Sequence, residues 1–352
     1  MGAAVEASRA LQAVEAGDLA FVLDRSDPAS FRRLARLLHP DRAVANGIDP
    51  ARATAAFATA KAWWDGVRPR TGTRPGSTSP VTMTSRRTTY TLGAKIADGT
   101  VASVYAATDA DGTPVAVKVY RSPTSAALAA AERDALTTMA ATVTAQPILA
   151  GLYPELLDSF KHKDAATGRV RRVNVLEPLH DGWYTLADVA RAHPRGLDGR
   201  DWAWMMRRLL NAVGGVGLAG LVHAAVLPEN VLVHPEHHGL VLAGFSLTVP
   251  EGAAPAGLVA DHLDAYPPEA RDKRPLDASA DLFMTGRLAA AMLAPGERAQ
   301  RAFATGIAQS APRTRPDVAS AVVEYDELVH RLYGPRRFRP FTMPAQPTST
   351  TH

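Results

Sequence analysis

The stretch "GLVHAAVLPENVLVHPEHHGLVLAGFS", residues 220–246, decides the fold of the larger part of this chain. The apolar runs "VLV" and "LVL" predict two short strands joined by a histidine-rich turn. Ahead of them, Ala224 and Ala225 follow His223, and "PEN" ends at Asn230. The stretch contains no aspartate. Alanine and glycine cannot bind a metal ion or move a proton, so this loop carries little chemistry of its own.

Bulk composition indicates a globular chain with more than one domain. The sequence has 352 residues, of which 46% are hydrophobic, which is enough to form more than one core. The formal net charge is +4, and its arginines are spread along the chain without a dense block of like charge. Nucleic-acid binding is therefore disfavoured, because it would need an arginine patch that the sequence does not build visibly. With no cysteine there is no disulfide and no thiolate nucleophile.

Neither a signal peptide nor a membrane span is apparent. The N-terminal segment carries Glu6, Glu15 and Asp18 and lacks the apolar core of a signal peptide. The longest weakly polar run, residues 212–227, is shorter than the roughly 20 apolar residues that a membrane helix needs. We expect a cytoplasmic protein that does not contact a membrane.

Changes in composition divide the chain into four parts. Residues 1–67 are rich in alanine with apolar residues at helical spacing, and residues 68–89 read as a flexible linker of Pro, Gly, Ser, Thr and Arg. Residues 90–335 form the main domain, which begins with short strands separated by "DG" turns and becomes helical after residue 201. Residues 336–352 are expected to form a disordered tail.

The N-terminal part contains an amphipathic helix that stops at a proline. The apolar residues of "FRRLARLL" share one face of this helix: Phe31, Leu34, Leu37 and Leu38. The basic residues lie toward the other faces: Arg32, Arg33 and Arg36. His39-Pro40 ends the helix, because a residue before proline disfavours the α region. A first helix is expected around residues 11–23, and a later one carries Phe57, Ala60 and Trp64.

This "LHPDR" between two antiparallel helices resembles the J domain of DnaJ-type co-chaperones. The resemblance implies a small all-α three-helix domain that docks on a DnaK-type heat-shock chaperone and triggers its ATP hydrolysis. It places the docking role on His39, Pro40 and Asp41, with positive charge from Arg32, Arg33 and Arg36. The alternative is structural: His39 is a polar residue near a helix C-terminus, and Asp41 is an ordinary turn residue.

The main domain resembles a protein kinase over nearly its whole length, which implies an α+β two-lobed fold. "VAVK" ends at Lys118, which matches the strand lysine that holds ATP phosphates, and Glu132 matches its ion-pair partner. The glycine-rich loop keeps only Gly99 and, after it, Val104. Alternatively, Lys118 is a surface lysine at a strand end, and Glu132 is a solvated helix residue.

Both acidic groups of the family's catalytic apparatus are missing. Ala225 stands where the family has the aspartate that accepts the substrate proton, and Gly244 replaces the aspartate that holds magnesium. Asn230 remains. The resemblance is thus to a pseudokinase without phosphate transfer. We expect ATP, if it binds at Gly99, Val104, Lys118, Glu132 and Asn230, to bind weakly and without strong dependence on magnesium. No metal site is expected.

Other motifs support the same fold. Arg315 is placed to pair with Glu269 of "YPPEA", and Asp281 and Gly286 match the family's D-x-x-x-x-G helix. In residues 247–265 only Thr248 could accept a phosphate, which makes control by loop phosphorylation improbable.

Several alternatives remain open at this point. Asp261 or Asp264 could substitute for the missing acids. The histidines of "HPEHHG" could bind a metal ion, although a solvated turn explains them more simply: His234, His237 and His238. Two functions follow. One is an adaptor that recruits the chaperone to an unidentified protein client, and the other is an atypical Ser/Thr protein kinase that uses non-standard acids.

Overall fold

The computed structural model separates the chain into two compact units, residues 1–79 and residues 80–352. It describes residues 2–15, 33–34, 37–38, 47–49, 52–53, 55–57, 59–60, 81–99, 101–164, 168–179 and 182–343. Among these residues no helix is both long enough and apolar enough to cross a bilayer.

The first unit is mainly helical where it is described, and residues 47–49 form a turn. Helix α1 spans Gly2–Glu15, so it begins well before residue 11, where the first helix was expected. Small and apolar side chains form a core of its own: Ala7, Ala10, Leu11, Val14, Leu34, Leu38, Ile48, Ala53, Ala56 and Ala60. The guanidinium of Arg52 donates to both carboxylate oxygens of Glu15, at 2.9 and 2.6 Å, and so ties α1 to the later helical residues.

The second unit begins with a six-stranded antiparallel sheet in the order β1-β2-β3-β4-β6-β5. Its strands are β1 (Thr82–Thr84), β2 (Thr89–Asp98), β3 (Ala102–Thr108), β4 (Pro114–Tyr120), β5 (Leu156–Lys163) and β6 (Val170–Leu176). Both "DG" turns lie between paired strands, as predicted, and Gly112 has a φ of +80° that favours glycine. Tyr90 on β2 stacks on Phe160 of β5, so the sheet curls around an apolar interior.

Helix α2 (Ala126–Ala145) packs on the other face of this sheet. The side-chain amide of Asn174, on β6, donates to the carbonyl oxygen of Ala129 and to Glu132. This fixes which face of β6 the helix covers.

The rest of the unit is mainly helical around a large core. Its helices are α3 (Leu186–Ala192), α4 (Gly199–Leu218), α5 (Pro268–Arg271), α6 (Ala278–Met292), α7 (Arg298–Ile307) and α8 (Val318–Tyr333). Its short strands are β7 (Tyr184–Thr185), β8 (Leu221–Val222), β9 (Val231–His234), β10 (Gly239–Leu242) and β11 (Val249–Pro250). Trp202 and Met206 of α4 are fully buried at its centre.

Two segments are more ordered than the sequence suggested. Strand β1 lies inside the stretch expected to be a linker, because Met83 is buried in the core of the curled sheet. Residues 336–343 lie inside the expected disordered tail, yet Phe341 joins the main core and Arg339 pairs with Asp201 at 3.0 Å. The polar composition of these two segments did not indicate that Met83, Phe341 and Arg339 would hold them in place.

A buried ion pair joins α5 to the segment before α8. The guanidinium of Arg315 donates to the two carboxylate oxygens of Glu269, at 2.5 and 3.0 Å, and both side chains are almost fully buried. Arg315 also donates to the carbonyl oxygens of Gln309 and Ser310. The sequence predicted this pair, and the structure confirms it.

Replacing Arg315 with leucine should strongly destabilise the second unit. Breaking a buried pair leaves an uncompensated carboxylate, at a cost of about 3–5 kcal/mol in the free energy of unfolding. Arg274→Leu is the control, since Arg274 and Asp272 form an exposed pair at 3.4 Å, and such pairs contribute about 0–1 kcal/mol. Chemical denaturation of the two variants measures the difference. Equal effects would contradict the structural role given to Arg315.

Candidate functional site

Lys118 and Glu132 form the centre of a closed hydrogen-bond network. Nζ of Lys118 lies 2.5 Å from Oε1 of Glu132, which is 1% exposed. Burial alone would raise the pKa of Glu132, but the ammonium of Lys118 and the hydrogen bonds from Asn174 and Tyr120 outweigh burial and lower this pKa. Glu132 is therefore a carboxylate with partners on two strands.

Ser246 completes this network from the 3₁₀ segment Phe245–Leu247, in the mainly helical part of the unit after residue 183, which we call the second lobe. Its hydroxyl lies 3.1 Å from Nζ of Lys118 and 2.9 Å from the hydroxyl of Tyr120, which donates to Oε2 of Glu132 at 2.7 Å. Lys118 therefore already has two partners within the protein. Ser246, Tyr120 and Asn174 were not predicted as site residues. The only sequence signal was a hydroxyl two residues after Gly244.

The predicted glycine-rich loop is a β-hairpin between β2 and β3 that is closed on itself. The amide of Gly99 donates to the carbonyl oxygen of Ala102 at 3.0 Å, and Val104 lies directly opposite Lys118 in the sheet. Asp98 stands beside Gly99, and its carboxylate accepts from Ser103 at 2.8 Å. This hydrogen bond, together with cationic Lys95 and Arg121, lowers the pKa of Asp98.

A compact charge cluster thus sits at the tip of this loop. Arg121 and Lys95 are both bound to Asp98. One carboxylate offsets only one of the two cations, so the cluster stays net positive, but both cations already have a partner within the chain.

The loop after His223 is buried rather than exposed to a cleft. Ala224, Ala225, Val226 and Leu227 are each at most 2% exposed. Asp281 holds the loop, because its carboxylate accepts from the backbone amides of His223 at 2.6 Å and Ala224 at 2.8 Å. The four side chains that follow His223 are therefore apolar, packed in the core and out of reach of a ligand.

His223 is a neutral structural residue in this loop. Burial lowers its pKa to about 4, and its Nε2 lies 3.0 Å from the carbonyl oxygen of Ala243. That contact places the proton on Nε2, where it can be donated. Nδ1 is buried without a hydrogen-bond partner. Burial also raises the pKa of Asp281 to about 7, although its two backbone donors oppose the rise.

Asn230 occupies the space beside Gly244. A Cβ atom on Gly244 would lie 2.4 Å from Oδ1 and 2.5 Å from Cγ of Asn230, and Gly244 has a φ of +83°. The Asn230 amide is itself anchored, since Nδ2 donates to the carbonyl oxygen of Ala225 at 2.9 Å. A side chain at position 244 therefore cannot enter without moving Asn230.

The carboxylates considered as substitutes lie on the surface. Asp261 and Asp264 are exposed in the 3₁₀ segment Ala260–Ala265. His262, between them, lies 3.2 Å from Glu229 instead. In the described arrangement these groups form no catalytic pair with Lys118 or Asn230.

The histidine-rich turn lies between β9 and β10, where the sequence placed it. His234 is buried against Trp183 and stacks on His237, so it is not the solvated residue that was expected. His238 stacks between Trp204 and Phe338. Within the described ranges no group of three or more His, Cys, Asp or Glu residues could hold a metal ion.

The residues predicted to dock a chaperone are mostly not described. Arg32, Arg36, His39, Pro40 and Asp41 lie outside the described residues. Arg33 is helical and exposed, next to buried Leu34.

Comparison with known proteins identifies the architecture of the larger unit. The solved structure of vaccinia related kinase 3 superposes with a TM-score of 0.60 at 13% sequence identity, over 74% of this chain and 93% of that one. The chain contains a protein-kinase-like fold. No protein-family model matches the sequence. No curated protein matches it either.

Gly244→Ala should be more destabilising than Gly252→Ala, because only Gly244 has a neighbour in the way. Both glycines have a φ of +83°, and a Cβ on Gly252 would meet nothing within 4 Å. Gly252→Ala should therefore cost only the left-handed strain, about 1–2 kcal/mol in the free energy of unfolding. Gly244→Ala should cost a further 1–3 kcal/mol, about the cost of overpacking.

The collision itself can be tested by removing Asn230. The double variant Gly244→Ala/Asn230→Ala should recover part of the excess cost, as measured in a double-mutant cycle by chemical denaturation. Equal costs for Gly244→Ala and Gly252→Ala would show that Asn230 does not fill this space.

Proposed function

We propose that this protein is an adaptor that joins a DnaK-type chaperone to a protein partner. Residues 1–67 act as a J-like module, and the kinase-like unit binds the partner without transferring phosphate. The protein acts in the cytoplasm and needs no cofactor. ATP, if it binds, binds weakly and with little dependence on magnesium.

The observation that carries the inactive assignment is the packing of Asn230 against Gly244. Phosphate transfer depends on metal ions that neutralise developing charge and on a residue that accepts the substrate proton. Here Gly244 stands at the metal-binding position and has no side chain, and the amide of Asn230 fills the space beside it. At the proton-accepting position, Ala225 is buried. General acid–base catalysis alone is worth about 10²- to 10⁴-fold in rate.

The sequence "RRLARLLHPDR" supports the chaperone-recruiting role. In the proposed docking motif, His39, Pro40 and Asp41 would act together with the positive charge of Arg32, Arg33 and Arg36, which is complementary to an acidic surface. The first unit has a core that is separate from the second, as an independent recruiting module needs. Arg33 is exposed, with Leu34 turned into that core.

An atypical Ser/Thr protein kinase is the second candidate, and the Lys118–Glu132 pair favours it. The pair is formed, and in protein kinases the corresponding Lys–Glu ion pair must be in place for phosphate transfer. In that case Asp261 or Asp264, both on an exposed segment, would have to move inward to supply the missing acid.

The intact chain should accelerate ATP hydrolysis by a DnaK-type chaperone, and His39→Gln or Asp41→Asn should abolish this effect. Both substitutions remove a polar group of the proposed docking turn. His237→Gln and Asp111→Asn are matched controls, because both residues are exposed in the second unit. Single-turnover ATPase rates with each variant test the proposal. Stimulation that is equal for all four variants would contradict the docking role of residues 39–41.

Millimolar ATP should shift the melting temperature slightly or not at all, and equally with magnesium or with a chelator. Asn230 alone supplies too little negative charge to hold a hard dication. By contrast, a ligand at ten times its Kd stabilises the folded state by about 1.4 kcal/mol, which a melting experiment resolves. Lys118→Met is the control for binding at this site.

A large shift that requires magnesium would overturn the inactive assignment. So would transfer of labelled phosphate to the chain or to a generic substrate, if Lys118→Met abolished it. Either result would establish that another carboxylate completes the site, and the kinase function would replace the adaptor function.

A further inference from the structure

The β5–β6 hairpin gathers cations at the edge of the six-stranded sheet. Strand β5 is the last in the sheet order and carries Lys161 and Lys163, while β6 carries Arg171 and Arg172. Lys161 lies directly opposite Arg172. Since side chains alternate between faces, Lys161, Lys163 and Arg172 share one face, and Arg171 lies on the other. We call the first three residues the edge-cation face.

The charges of the edge-cation face are not compensated within the described chain. Lys161 and Lys163 are exposed, and Arg172 is half-buried. Like charges directly opposite each other on neighbouring strands are destabilising. Among the residues that the structure describes, no ion pair joins a carboxylate to any of these three cations. Helix α2 packs on this same face of β6 and carries Glu132, but that carboxylate is bound to Lys118, Tyr120 and Asn174.

Protection of the sheet edge explains only part of this pattern. Lysines on an edge strand discourage pairing with other chains, and this accounts for Lys161 and Lys163. It does not require a second cation directly opposite Lys161, where Arg172 lies beyond the end of the β4–β6 pairing at Val173. An arginine placed opposite a lysine at a cost in stability indicates a use for the combined charge.

We propose that the edge-cation face binds an acidic, extended segment of a partner protein. Lys161 and Lys163 are two residues apart on a strand, so their spacing of about 7 Å matches that of alternating side chains in an extended peptide. Carboxylates at that period can meet both lysines, while the guanidinium of Arg172 can bind a third carboxylate in a bidentate manner.

A nucleic-acid partner fits this face less well. Binding of single strands relies on aromatic rings on which bases stack, beside the cations. Phe160, the aromatic residue of β5, lies on the opposite face and stacks on Tyr90 inside the curled sheet. The hairpin therefore offers charge without a stacking platform on this face.

The partner of the proposed adaptor would thus carry an acidic, extended segment, an inference that rests on the proposed function. Its test uses neither chaperone nor nucleotide, so the two proposals can fail separately. The edge-cation face is also separate from the Lys118–Glu132 network. Among the described residues, its three cations form no hydrogen bond with a residue of that network.

The test measures binding of the full-length chain to a fluorescent peptide of about ten residues with alternating Glu and Thr, by fluorescence anisotropy. Arg172→Gln should raise the Kd about threefold to fivefold, since one exposed ion pair contributes up to about a factor of five. The triple variant Lys161→Gln/Lys163→Gln/Arg172→Gln should raise it about tenfold or more. Arg171→Gln, with the same charge change on the other face, should change it less than about twofold.

Two further measurements distinguish recognition of the acidic peptide from a structural role of Arg172 and from general binding of polyanions. The melting temperature of Arg172→Gln should stay equal to that of the wild type or rise, because a like-charge pair is removed. Oligouridine and phosphatidylserine vesicles should bind more weakly than the acidic peptide at the same ionic strength. A Gln-Thr peptide should not bind.

Three results would overturn the proposal. An equal loss of binding for Arg171→Gln and Arg172→Gln would show that only net charge matters. Tighter binding of oligouridine or of the vesicles would assign the face to a nucleic acid or to a membrane. A large fall in melting temperature for Arg172→Gln would make this residue a structural one.

Discussion

The structure depends on satisfying one buried carboxylate, that of Glu132. A buried charge is costly unless it is paired and hydrogen-bonded, and Glu132 has Lys118, Tyr120 and Asn174 as partners. These partners join α2 to β4 and β6. Ser246 extends the same network to the second lobe through Lys118 and Tyr120. Groups of the chain itself thus fix the relation between sheet, helix and loop.

Because these polar groups are bonded to one another, the chain can keep a kinase-like fold without the chemistry usually found on it. A fold supplies a scaffold, while activity depends on groups left available at a site. Here the Lys118 ammonium, the Gly99 amide and the Asn230 amide each have a partner within the chain. What remains available is the outer surface of the unit. The cations of the edge-cation face have no ion-pair partner among the described residues, whereas Lys118 is fully engaged in its internal network.

Short-range motifs predicted much of this architecture. The pairings of Lys118 with Glu132 and of Arg315 with Glu269 followed from spacing within a recognised pattern, and the "DG" hairpins followed from turn chemistry. Three features could not be read in this way. The rotamer of Asn230 depends on the empty space at Gly244, Ser246 meets strand β4 from 126 positions away, and β1 forms only because a neighbouring strand and core accept Met83.

The docked segment after α8 has a consequence for how this protein is made. Phe341 completes the main core by packing near Trp204 and His193, and Arg339 pairs with Asp198 and Asp201. The residues that Phe341 and Arg339 contact lie well over a hundred positions earlier in the chain and are therefore synthesised first. During translation, part of the apolar surface around Trp204 and His193 therefore stays uncovered until Arg339 and Phe341 have been synthesised. Such a late-closing intermediate exposes hydrophobic surface, the state on which chaperones act.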